Sequence, residues 1–191
     1  MSHEAADLFR QVSQNMARVA DSAYVRDVGR ATDLLVEAFT AGGKLLVFGN
    51  GGSSADAQHL TAELVGRFAR ERNPLPAIAL TTNQAILTAW SNDHAFEDVF
   101  ARQIEALGVP GDVAWGISTS GTSPNVVSAL RRARERGLRT IGLTGESGGD
   151  MRESCDVLMA VPLSSTARIQ EVHLVTYHAV CAALEERLFP R

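Results

Sequence analysis

His59 and Glu63 stand four residues apart in the stretch GNGGSSADAQHLTAEL, residues 49–64. On a helix that spacing puts both side chains on one face. An imidazole and a carboxylate placed so can hold one metal ion, or work as a base and its partner. The same spacing also serves an ordinary surface pair, and spacing alone leaves these readings open. The glycine turn just ahead of the pair has the look of a phosphate cradle, with backbone N–H groups at a helix start. It is neither a dinucleotide fingerprint nor a Walker loop: Ser54 stands where GxGxxG needs Gly or Ala, the next strand ends in Thr81-Thr82-Asn83 with no acid for a ribose, and GK[ST] is missing.

A second group of such residues lies near the carboxyl terminus, in RIQEVHLVTYHAV, which carries Gln170, His173 and His178. On an ideal helix Gln170 and His178 point roughly 80° apart and lie about 12 Å apart along the axis. One straight helix barely lets both reach a single ion. If both are ligands, either Gln170 lies near a frayed helix start or the two side chains serve from different subunits, and spacing alone leaves this open. His173 is expected to pack or to sit in an interface. A third feature is the turn Ser118, Thr119, Ser120, Thr122 and Ser123, five hydroxyls in six residues before Pro124. Hydroxyls and free N–H groups at a helix N-terminus make a neutral, donor-rich cup for a phosphate, though Ser and Thr also cap helices and fill turns. The later turn TGESGG carries Glu146, which repels phosphate, so it is expected to be structural.

The elements that hold these residues follow from the apolar pattern. Residues 3–41 show helical spacing (Leu8, Val12, Met16, Val19, then Val28, Leu34, Leu35, Ala38, Phe39) and stop at Gly42-Gly43. Then come short apolar runs, KLLVFG, AIAL, VAWGI, TIGLTG and VLMAVP, most followed by a helical stretch. Those stretches are expected near 53–70, 84–91, 96–107, 123–136, 149–154 and 166–188. Strand–helix alternation with continuous apolar strands means a parallel sheet covered on both faces. In such sheets the turns at the carboxyl edge bind ligands.

The totals narrow the function. The 191 residues are 45% hydrophobic with net charge −4, enough for one core and without a basic field for nucleic acid or anionic membrane. No 18-residue apolar run and no apolar leader predict neither a membrane span nor a secretory signal. Cys155 and Cys181 form no CxxC, which places the chain in the cytoplasm with reduced thiols. Lys44 is the one lysine among 18 basic residues, and it opens a strand at the end away from any carboxyl-edge site. That argues against a Schiff-base mechanism.

The segments GNGGSSADAQHLTAEL, ALTTNQAILTAWSNDHAFEDVFARQI, GDVAWGISTSGTSPNVVSAL and ARIQEVHLVTYH together resemble the phosphoheptose isomerase family of the sugar isomerase (SIS) fold, in order and spacing and essentially end to end. The resemblance implies an α/β chain with a three-layer, flavodoxin-like SIS fold. A central parallel sheet of about five strands is flanked by helices, with an N-terminal helical extension. It implies one domain over 1–191, with helices in 1–42 and the α/β core in 43–191. It further implies a homotetramer with sites between subunits, interconverting sedoheptulose 7-phosphate and D-glycero-D-manno-heptose 7-phosphate through an enediol, the first step towards ADP-heptose. Carried over by position, one Zn2+ per subunit would be held by His59, Glu63, Gln170 and His178. Substrate contacts would come from Asn50, Gly51, Gly52, Glu63, Asn92, Asp93, Ser118, Thr119, Ser120, Ser123 and Gln170. Glu63 would be the general base and His178 the acid or proton shuttle; a carboxylate held tightly by zinc is a poorer base, so the two roles of Glu63 pull against each other.

Some positions depart from the family pattern. Asn83 stands where Asp is frequent, Thr122 where Asn is usual, and Trp90 and His94 flank Asn92-Asp93. They bear on substrate preference. The competing reading is a non-catalytic tetrameric regulator of the same family that binds the replication initiator; such a protein is expected to lose the acid at Glu63 and the histidine at His178. Both are present here.

Overall fold

The fully apolar runs at residues 45–49 and 113–117 have no polar face to turn to water, so both faces of the sheet they form must be covered. In the computed structural model, which describes residues 2–190, they are. Five strands, β1 Leu45–Gly49, β2 Ala77–Ala79, β3 Val113–Ile117, β4 Arg139–Thr144 and β5 Val157–Ala160, pair in parallel in the order β2-β1-β3-β4-β5. This is the flavodoxin-like order, and its switch point lies between β1 and β3.

The strand side chains alternate between two cores. Leu45, Val47, Trp115, Ile141 and Met159 pack on one side with α1 Ser2–Ala20, α2 Tyr24–Thr40, α3 Gly52–Val65 and α7 Thr166–Leu188. Leu46, Phe48 and Ala114 pack on the other with α5 Val99–Leu107 and α6 Pro124–Glu135. The N-terminal helices are therefore part of a layer: α2 lies on β5 and α7, and Tyr24 Oη is 2.6 Å from Thr176 Oγ1. The remaining helix, α4 Gln84–Asp93, buries none of its residues and rests on α5 and the short turn Phe96–Asp98. At the amino edge Lys44 donates to Asp112 at 2.5 Å, far from the carboxyl-edge turns, as its place at the strand entry requires.

One boundary differs from the sequence expectation. The helix expected over 53–70 ends at Val65. Arg72 folds back and its guanidinium donates to the carbonyls of Glu63, Leu64 and Gly66, closing the helix end. The next residues turn instead onto Glu185, whose carboxylate accepts the N–H groups of Phe68, Ala69 and Arg70.

Candidate functional site

Two helices build the site by running side by side in the same direction. Gln170 meets Gly52 and Asp56 near the start of α3. Tyr177 and His178 meet His59 about two turns further on. Glu185 meets the segment beyond the end of α3. Equal rise per residue keeps the helices in step, so eight residues of α7 match seven of α3. Gly52 sets how close they come: a Cβ there would run into the Gln170 amide. Gly51 ahead of it has φ +54°, which favours glycine.

His59, Glu63 and His178 each bring a ligand atom within 4.8 Å of the other two. His59 Nε2 is 3.0 Å from Glu63 Oε1. The His59 and His178 rings meet edge to face with centroids 5.1 Å apart, and Phe68 covers His178 at 5.3 Å. The Nε2 of His178 is buried and has no hydrogen-bond partner among the described residues. Such an orphaned nitrogen beside a second imidazole and a carboxylate fits a zinc ion with a coordination position left open. Glu63 keeps 21% of its side chain exposed and His59 42%, so a ligand can reach both.

The Gln170 amide donates to Asp56 Oδ2 at 3.0 Å, one turn of α3 before His59. Burial raises the Asp56 carboxyl above the ordinary range, against the pull of Gln170, Tyr177 and His59. His173 packs, as expected: it is fully buried, 3.3 Å from the Thr144 carbonyl, and burial lowers its pKa to about 4.

The two carboxyl-edge turns lie on either side of the switch point, after β1 and after β3. They are tied by a reciprocal amide pair: Asn50 Nδ2 donates to Asn125 at 2.8 Å and Asn125 Nδ2 returns at 2.9 Å. The hydroxyls of the second turn converge, with Ser118 Oγ 2.9 Å from Ser123 Oγ and 3.3 Å from Ser120 Oγ. Thr119 takes part through its backbone, its carbonyl accepting from Gly145 at 3.1 Å. The turn with Glu146 buttresses this one, since Gly121 packs against the backbone of Gly148 and Gly149 while Glu146 stays exposed.

Asn92 and Asp93 sit at the exposed end of α4, hydrogen-bonded to each other at 2.9 Å. Trp90 stacks on His94 at 3.9 Å, the Arg102 guanidinium lies over the Trp90 ring at 4.7 Å, and Asn83 caps α4 by accepting from the N–H of Ile86. Sequence reasoning missed Asp56, Asn125, Phe68 and the role of Tyr177. The available signal was the α3 face itself: Asp56 lies three residues before His59, one turn from it on the same side.

A parallel sheet in this order, with hydroxyl-rich turns at its switch point and a His–Glu–His cluster between two helices, is an SIS architecture, and residues 7–145 match the SIS domain family. The phosphoheptose isomerase of Synechocystis sp. is 53% identical over 92% of this chain and 91% of its own. Two solved phosphoheptose isomerases superpose closely. The one from Neisseria gonorrhoeae has a TM-score of 0.91 at 40% identity, covering 97% of this chain and 98% of its own. The one from Francisella tularensis has 0.92 at 37%, covering 96% and 97%. The chain belongs to the phosphoheptose isomerase family, a family of isomerases. The regulator reading gains nothing from these relatives.

Proposed function

We propose that this chain is an aldose–ketose isomerase converting sedoheptulose 7-phosphate to D-glycero-D-manno-heptose 7-phosphate, the first step towards ADP-heptose. The observation that carries the reading is the His59–Glu63–His178 cluster, whose His178 Nε2 has no partner among the described residues, on the helix opened by the first donor-rich turn, itself tied to the second through Asn50 and Asn125. The turns, with Asn50, Gly51, Gly52, Ser118, Thr119, Ser120 and Ser123, bind the sugar phosphate. Glu63 takes a proton from C1 and returns it to C2, and His178 moves the hydroxyl proton between O1 and O2, so the carbonyl shifts by one carbon with no net gain or loss. His59, Glu63 and His178, with Gln170 as the family's fourth donor, would hold a zinc ion, which would supply charge stabilisation to developing negative charge on the substrate oxygens. Asn92 and Asp93 stand on α4 and serve the substrate of a neighbouring subunit in a homotetramer. The free thiols Cys155 and Cys181 agree with a cytoplasmic enzyme, and no described helix is long and apolar enough to cross a membrane.

The test is conversion of sedoheptulose 7-phosphate by the purified protein as isolated, after chelation, and with zinc restored, beside Glu63→Gln. Turnover that falls on chelation, returns with zinc and drops at least about 100-fold in the variant is expected. Turnover indifferent to chelation removes the zinc from the reading. No turnover in any state overturns it.

A further inference from the structure

We infer that the Tyr177 hydroxyl is a two-way hydrogen-bond partner of His59 that turns toward Asp56 when a divalent cation takes His59 Nε2. The inference rests on the cluster being a cation site, and it makes Tyr177 and Asp56 positioning residues. Among the described residues His59 has two hydrogen-bond partners, Glu63 Oε1 at Nε2 and Tyr177 Oη at Nδ1, each at 3.0 Å. A neutral imidazole carries one hydrogen, and a carboxylate only accepts. Without a cation that hydrogen therefore sits on Nε2 and points at Glu63, while Nδ1 accepts from the Tyr177 O–H.

A cation bound at Nε2 uses its lone pair and requires the hydrogen on Nδ1 instead. One proton leaves Nε2 to solvent and one arrives at Nδ1, so the ring stays neutral. Tyr177 must then accept from Nδ1–H, and its own O–H needs a new acceptor. Water cannot supply one, because Tyr177 is fully buried. Asp56 can. It is 6% exposed, stands against the Tyr177 hydroxyl, and commits its Oδ2 to Gln170. Its other oxygen is left to receive Tyr177. A phenol is the side chain that does both jobs, since its oxygen accepts and donates.

Two measurements test this. In protein labelled with 15N-histidine at about pH 9, long-range proton–nitrogen spectra separate Nε2–H from Nδ1–H, with His59 assigned by loss of its signal in His59→Asn. The expected result is Nε2–H without cation and Nδ1–H with zinc in the wild-type chain, which needs no variant to fold. Competition with a chromogenic chelator then compares zinc affinity. Tyr177→Phe keeps the ring and deletes the hydroxyl, and the zinc Kd should rise about 10- to 100-fold. His59 on one tautomer in both states, or Tyr177→Phe binding zinc as tightly as wild type, overturns the inference and leaves the cation site standing. No zinc uptake by the wild-type chain removes the cation site and the inference together.

Discussion

His173 and His178 lie five residues apart on α7 and meet opposite fates. Each has a buried ring nitrogen without a partner among the described residues, but that of His178 lies beside two other donor groups, whereas His173 is buried under the end of β4 and held neutral. Its pKa falls to about 4 in the folded chain, so as pH drops the unfolded chain takes up the proton first. Stability is then lost as pH falls from about 6.5 to 4, by about 3 kcal/mol over the whole window. Other groups titrate in the same range, so the useful quantity is a difference. Urea midpoints of wild type and His173→Gln, measured from pH 7 to 4.5, should diverge in slope, with the variant flatter. A gap that stays constant with pH would sink the assignment. At this scale the sequence marks the residue types and little more. His59 and Glu63 stand out because one helix carries both. Tyr177 does not, because a lone tyrosine acquires meaning only when α7 lies against α3, and Asp56, though on the same face of α3, gains its partners Gln170 and Tyr177 only there.

That alignment is a property of elements, and a fully buried ion pair fixes its far end. Arg72 and Glu185 have 1% and 2% of their side chains exposed and meet at 3.2 Å. Burial pushes the Glu185 carboxyl up, but the N–H groups of Phe68, Ala69 and Arg70 and the charge of Arg72 outweigh it, and the net shift is downward. Through this pair α7 grips both the end of α3 that carries Glu63 and the segment that lays Phe68 on His178. Arg72→Met leaves the carboxylate buried without its cation and uncaps the helix, which should cost about 3–5 kcal/mol. Denaturant unfolding measures the loss, and trypsin should cut faster after Arg67 and Arg70. An unchanged midpoint would show that the three N–H groups suffice alone. The same pair explains where the sequence misled. Strand and helix order were legible from apolar runs and glycine stops, because those signals are local. The sequence pattern puts the end of α3 near 70, because the Arg72 that closes it at Val65 is itself held in place by Glu185, 113 residues away in the chain.

At the scale of the molecule, α7 still shows an apolar surface that one chain leaves in water. Its inner face fills the core with Ile169, Val172, Tyr177 and Leu184, yet Leu174 and Val175 are 39% and 50% exposed, beside Val25 of α2 at 50%. A helix apolar around most of its circumference is built to be covered on more than one side. α4 shows the same want, with Ile86 39% exposed and no residue buried. The first surface belongs to the helix that carries His178 and the second to the helix that carries Asn92 and Asp93, and the proposed role of that pair requires subunit packing to bring the two together. On the proposed homotetramer, light scattering after gel filtration should give about four times the 20.5 kDa chain mass. Val175→Glu sets a charge into this exposed apolar face, on the side of α7 away from its own core. The expected result is a smaller particle with intact helix content and isomerase turnover reduced at least tenfold, because each site loses its neighbour. Full turnover in a monomeric variant would mean that one chain carries a complete site and that Asn92 and Asp93 have no part in it.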